Sequence, residues 1–86
     1  FGKTLDQNYI LLQRMDELKA FGLPVLVGAS RKSMIFRLLD STPAEALNGT
    51  TVVNTLSLLK GASILRVHDV KEAVQATTIV GQMLQA

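Results

Sequence analysis

Ile64-Leu65-Arg66-Val67-His68-Asp69-Val70 is the stretch from which the fold of this chain is read. Residues 62–67 form an apolar run without the alternation of a half-exposed strand, the pattern of a parallel strand covered on both faces. One charge interrupts it: Arg66 stands two residues from His68, so both project from the same face. Asp69, with Glu72 three residues on, marks the start of a final helix. Its inner face is predicted at Val70, Val74, Thr77, Val80 and Leu84.

Upstream, Gly61 suits the position just past a helix C-terminus. That helix opens at Thr42-Pro43-Ala44-Glu45, a capping box with proline in the first turn, and extends to about Lys60. Gly49 lies within it at up to ~1 kcal/mol relative to alanine, leaving open a break between Asn48 and Thr51. Ile35, Leu38 and Leu39 have helical spacing that ends near Asp40-Ser41. Before them, Pro24-Val25-Leu26-Val27-Gly28 reads as another strand covered on both faces, followed by the polar knot Ser30-Arg31-Lys32-Ser33. A first helix is expected from the capping box of Thr4 and Gln7, with Leu11, Met15 and Leu18 inward and Leu12 alongside, stopped by Gly22 and Pro24.

The order is helix, strand, helix, strand, helix. Strands joined through helices cannot be hairpin partners, so a right-handed parallel crossover and an α/β architecture follow. Two strands alone leave bare edges and half-covered helices, so the chain either associates or is a segment of something larger. Its 86 residues are one domain at most and cannot hold a closed eight-stranded barrel. The chain opens on Phe1 rather than Met, which fits a segment.

With 48% hydrophobic and 19% charged residues, disorder is excluded. The net charge of +2 comes from interspersed side chains and gives little support to a nucleic-acid partner. No cysteine and one histidine rule out a disulfide framework and a thiolate metal site. No apolar run approaches the roughly 18 residues of a membrane span, and no leader is seen, so a cytoplasmic location without membrane contact is expected.

In parallel α/β folds ligands bind at the carboxyl ends of the strands. Residues 28–33 place two cations, two hydroxyls and helix N-terminal amides at the end of the first strand, a corner suited to an anion. The same residues serve equally as helix caps and solvated charges. Arg66 and His68, on one face at the end of the second strand, suit a phosphate or diphosphate. A histidine satisfied by its own surroundings is the other reading of His68, and Asp69 reads as a cap. No nucleophile elbow or P-loop is present.

Three quoted stretches together resemble dihydropteroate synthase over essentially the whole chain. Phe1-Gly2-Lys3 is similar to the tail of that family's loop after the sixth barrel strand. The run from Leu23 to Gly28, with Ser30-Arg31-Lys32-Ser33, looks like its seventh strand and the loop that follows. Gly61-Ala62 and residues 64–70 look like its eighth strand and the turn into the last helix. The resemblance implies that residues 1–86 are the C-terminal part of a single pterin-binding TIM (β/α)8 barrel, helix six to helix eight with two parallel strands, inactive alone.

The family joins 6-hydroxymethyl-7,8-dihydropterin diphosphate to p-aminobenzoate, giving 7,8-dihydropteroate and diphosphate for folate synthesis, and sulfonamides compete with p-aminobenzoate. By position, the resemblance assigns the pterin to Lys32 and Arg66 and the diphosphate to Arg66 and His68. It assigns p-aminobenzoate to Phe1, Ser30, Lys32 and Ser33, with Lys32 acting in binding because a lysine is ordinarily protonated. Mg²⁺ is expected with the diphosphate, held by a residue upstream of Phe1, with no metal ligand in this segment. The rest of the barrel and a possible homodimer complete the implied partners. Phe36 departs from the glycine usual there, and Asn54 needs a hydrogen-bond partner if buried. A different pterin-binding barrel, such as a folate-dependent methyltransferase, and a non-enzymatic anion-binding assembly module are the alternatives.

Overall fold

The computed structural model describes residues 5–22, 24–28 and 33–86, leaving aside the side chains of Lys19 and Ser33. Its elements are α1 (Leu5–Gln13), α2 (Met15–Lys19), β1 (Leu26–Val27), α3 (Ser33–Phe36), a 3-10 turn (Pro43–Glu45), α4 (Leu47–Leu59), β2 (Ile64–Leu65) and α5 (Val70–Gln85). The strands pair in parallel, Leu26 with Ile64 and Val27 with Leu65. Helices α3 and α4 form the crossover between them, and α4 packs on α5.

Both strand segments lie where the apolar runs place them, but only one face is covered. Val27 packs against the core of Ile35, Ala46 and Val53, whereas Leu26 and Ile64 on the opposite face are 59% and 52% exposed. The expectation of strands covered on both faces is not met within this chain: among the described residues, helices lie on one side of the two-stranded sheet and the other face is exposed. The extents of 35 × 27 × 18 Å fit such a two-layer slab.

The helix termini follow local chemistry. At Gly61 (φ 100) the amide donates to Leu58 O and that of Ala62 to Ser57 O, a Schellman closure of α4. The same pair of bonds closes the turns after α3, Asp40 N to Arg37 O and Ser41 N to Phe36 O, with Asp40 itself at φ 52. Gly22 (φ 75) follows α2. Two of the expected caps differ. Thr42 makes no side-chain cap bond, and residues 43–45 form a separate 3-10 turn before α4. Asp69 occupies the N-cap position of α5 without a side-chain cap bond. The cap expected at Thr4 lies outside the described residues. The first helix is divided at Arg14, whose guanidinium turns back to Glu17 with Nη2 3.1 Å from the carboxylate.

Two inner stripes are also corrected. Met15 is buried, but Leu11 and Leu18 are exposed, and α5 buries Ala73, Ala76 and Val80 while Val70, Val74 and Leu84 stay exposed. For α5 the reason is that the side chains buried where it packs on α4 are mostly small, Ala73 and Ala76 with Val80, whereas the larger residues lie on neighbouring faces. Leu38 and Leu39 are likewise exposed. Gly49 does not break α4. It sits within that helix, where α3 comes closest. Phe36 finds room by packing on the Ile35 core. Tyr9 ties α1 to α3 through a 2.7 Å bond from its hydroxyl to Met34 O, and Lys60 reaches Asp16 at 3.8 Å.

Candidate functional site

The carboxyl ends of β1 and β2 lie side by side because the strands are parallel and in register. Continuing the register sets Gly28 opposite Arg66, and the Arg66 amide donates to Val27 O at 2.8 Å. The position a Cβ would occupy on Gly28 is 3.6 Å from Arg66 Cβ and 3.8 Å from its Cδ. The aliphatic stem of the arginine therefore runs alongside Gly28.

Exposure alternates along β2 and beyond it: Ile64, Arg66 and His68 are exposed, and Leu65 and Val67 are half-buried. Arg66 and His68 thus share the face that carries Leu26 and Ile64, as their spacing requires. This face presents an apolar floor with an arginine fork and an imidazole at one end. Asp69 and the start of α5 follow directly, adding the positive end of a 16-residue helix. A cationic fork and an imidazole on an exposed face can hold an anion at the strand ends.

The remaining sequence-derived candidates are reached only in part. Phe1, Ser30 and Lys32 lie outside the described residues, as does the side chain of Ser33, whose backbone opens α3. The closeness of Gly28 to Arg66 escaped sequence reasoning. Its signal was a glycine at a strand end beside a strand bearing a single charge. Among the described residues no group of three or more His, Asp or Glu side chains is gathered to hold a metal ion, and no helix is long and apolar enough to cross a membrane. A concavity between α4 and α5 is lined by Thr51, Thr55, Ile79 and Val80 among others and shares no residue with the strand ends.

Comparison with known proteins matches residues 1–68 to the family described as pterin binding enzyme. The chain is 50% identical over all of its 86 residues to the dihydropteroate synthase of Escherichia coli, of which it covers 30%. It is similar to the Yersinia pestis dihydropteroate synthase solved as a sulfonamide drug complex, with a TM-score of 0.96 and 46% identity over 100% of this chain and 31% of that one. A Coxiella burnetii dihydropteroate synthase in complex with pteroic acid matches with a TM-score of 0.91 and 43% identity over 95% of this chain and 30% of its own. The chain therefore spans about 30% of the length of the curated relative it matches, as an α/β segment with two parallel strands.

Proposed function

The chain belongs to the pterin-binding enzyme family, and from that premise we propose that residues 1–86 are the C-terminal part of a dihydropteroate synthase barrel, from its sixth helix to its eighth. The observation that carries the reading is the open strand-end face on which Arg66 and His68 stand together beside Gly28. In a (β/α)8 barrel that face is the interior, and its carboxyl end is the mouth where substrates bind. The exposed Leu26 and Ile64 are then core residues awaiting the other strands.

The complete barrel condenses 6-hydroxymethyl-7,8-dihydropterin diphosphate with p-aminobenzoate. The bond between the pterin methylene carbon and the diphosphate oxygen breaks, and its electron pair leaves with the diphosphate. The amine nitrogen of p-aminobenzoate bonds to the methylene carbon and gives up a proton. Arg66 and His68 hold the departing diphosphate, where negative charge grows and fixed donors are most effective. Arg66 and Lys32 also contact the pterin. Lys32 flanks the p-aminobenzoate ring, Phe1 packs on it, and Ser30 with the start of α3 at Ser33 receives its carboxylate.

Sulfonamides compete at that position. Magnesium would add positive charge to the diphosphate, with its protein ligand upstream of Phe1. The 86-residue chain by itself is inactive, the protein works in the cytoplasm, and a homodimer through the outer helices belongs to the same reading.

Calorimetric binding to the complete barrel tests the assignment. His68→Ala is expected to weaken the pterin diphosphate about tenfold while sparing the pterin alcohol, and Arg66→Ala to weaken both, with unfolding midpoints unchanged. Normal diphosphate binding by either variant would falsify the leaving-group role. Size-exclusion of the isolated chain tests the segment reading: association or partial unfolding supports it, and a compact cooperative monomer sinks it.

A further inference from the structure

An arginine that holds an anion must have its long stem directed, and in this chain the neighbouring strand supplies the direction. Three observations converge on Gly28. The Arg66 amide is bonded to Val27 O at 2.8 Å, fixing the Arg66 backbone beside Gly28. Both Cβ and Cδ of Arg66 lie within 3.8 Å of where a Gly28 Cβ would stand, so the stem runs along the glycine rather than away from it. Gly28, unlike Gly22 and Gly61, does not adopt a positive φ, so its backbone does not require glycine. A small residue is what the neighbouring stem calls for.

We propose that Gly28 is a positioning residue for Arg66: a residue with nothing beyond a Cβ leaves a track on the inner face along which the stem lies, aiming the guanidinium across the end of β1. The inference rests on the reading in which Arg66 holds a diphosphate. A methyl at position 28 reaches only ordinary contact with the stem. A β-branched side chain carries γ carbons about one bond length further, into the volume the stem occupies.

A double-mutant cycle in the complete barrel tests this, with inorganic diphosphate and the pterin diphosphate as calorimetric probes. Gly28→Ala is expected to stay within about twofold of the unsubstituted protein and Gly28→Val to lose about tenfold or more. In an Arg66→Ala background Gly28→Val should add less than about twofold. An additive loss there overturns the proposal, because the valine would then obstruct the ligand itself. No effect of Arg66→Ala alone defeats the anion reading instead.

Nuclear magnetic resonance decides the positioning in either case. The unsubstituted protein should show an Overhauser contact between Gly28 Hα and Arg66 Hδ. Gly28→Val should abolish it and lower the Arg66 Nε order parameter. A missing contact in the unsubstituted protein, or an unchanged order parameter in Gly28→Val, rejects the role. Should the valine variant fail to fold, the contact in the unsubstituted protein and its retention in Gly28→Ala are decisive, and its loss in Gly28→Ala rejects the role.

Discussion

Gly49 of α4 and Ile35 of α3 approach so closely that a Cβ at position 49 would overlap Ile35 Cγ2 and stand 3.0 Å from Leu39 Cδ1. Helix propensity favours alanine over glycine by up to ~1 kcal/mol. Overpacking a filled core opposes it by about 1–3 kcal/mol. Ile35 is 1% exposed and has no room to retreat, so the packing effect wins. Gly49→Ala in the complete barrel is expected to lower stability by about 1–2 kcal/mol in urea unfolding, and a raised midpoint would show that Ile35 can turn aside.

The Tyr9 hydroxyl donates to Met34 O at 2.7 Å, joining α1 to α3. Tyr9→Phe should cost about 1 kcal/mol. Burial raises the Tyr9 pKa, so the stabilisation is full below the ordinary tyrosine value of about 10 and is lost as pH rises through the folded-state value. Unfolding curves of the two proteins should therefore differ at pH 8 and converge in strong alkali. A difference that persists there would place the stabilisation elsewhere.

Asn54 is 2% exposed and its Oδ1 has no hydrogen-bond partner among the described residues. An unsatisfied buried carbonyl costs about 1–3 kcal/mol. Replacing the amide with an apolar group of similar size removes that penalty, and Asn54→Leu is expected to raise the unfolding midpoint. A loss above about 1 kcal/mol would reveal a donor supplied by the remainder of the barrel.

Asp40 closes the turns after α3 in the left-handed region at φ 52. A side chain there carries a penalty of about 1 kcal/mol that glycine does not. Asp40→Gly should stabilise the complete barrel by up to that amount, measured by urea midpoint at neutral pH, and destabilisation would mean the carboxylate has a role beyond the turn.

On the p-aminobenzoate side, Ser30→Ala and Phe1→Ala should raise KM for p-aminobenzoate and weaken sulfonamides about tenfold, the scale of one hydrogen bond to a charged group for the serine and of a lost aromatic contact for the phenylalanine. Affinity for the pterin diphosphate should be unchanged. Equal losses for both substrates would point to a disturbed loop.

The order of elements was legible because each stop has a local chemical cause, as at Gly22 and Gly61, and because the apolar runs around Leu26 and Ile64 mark strands. The common face of Arg66 and His68 followed from parity alone. Inner stripes were read less well, since on α5 periodicity ranks a large apolar residue such as Val74 above the alanines, Ala73 and Ala76, that are buried there. Gly49 and Gly28 looked alike as sequence, each a residue without a side chain. Only the neighbours brought in from distant positions tell them apart: a Cβ on Gly49 would overlap Ile35, whereas one on Gly28 would lie in ordinary contact with the Arg66 stem.

The Arg66 amide, bonded to Val27 O, is also a clock. Closing the β1–β2 pair requires the whole α3–α4 crossover to be in place, so this long-range bond forms late and depends on everything between its partners. Its exchange with solvent deuterium follows the joint opening of strand and crossover, not the fraying of any one helix. Ligand held at the strand ends should slow that exchange in proportion to its occupancy, making a backbone proton beside the guanidinium a direct gauge of how binding is linked to the integrity of the sheet.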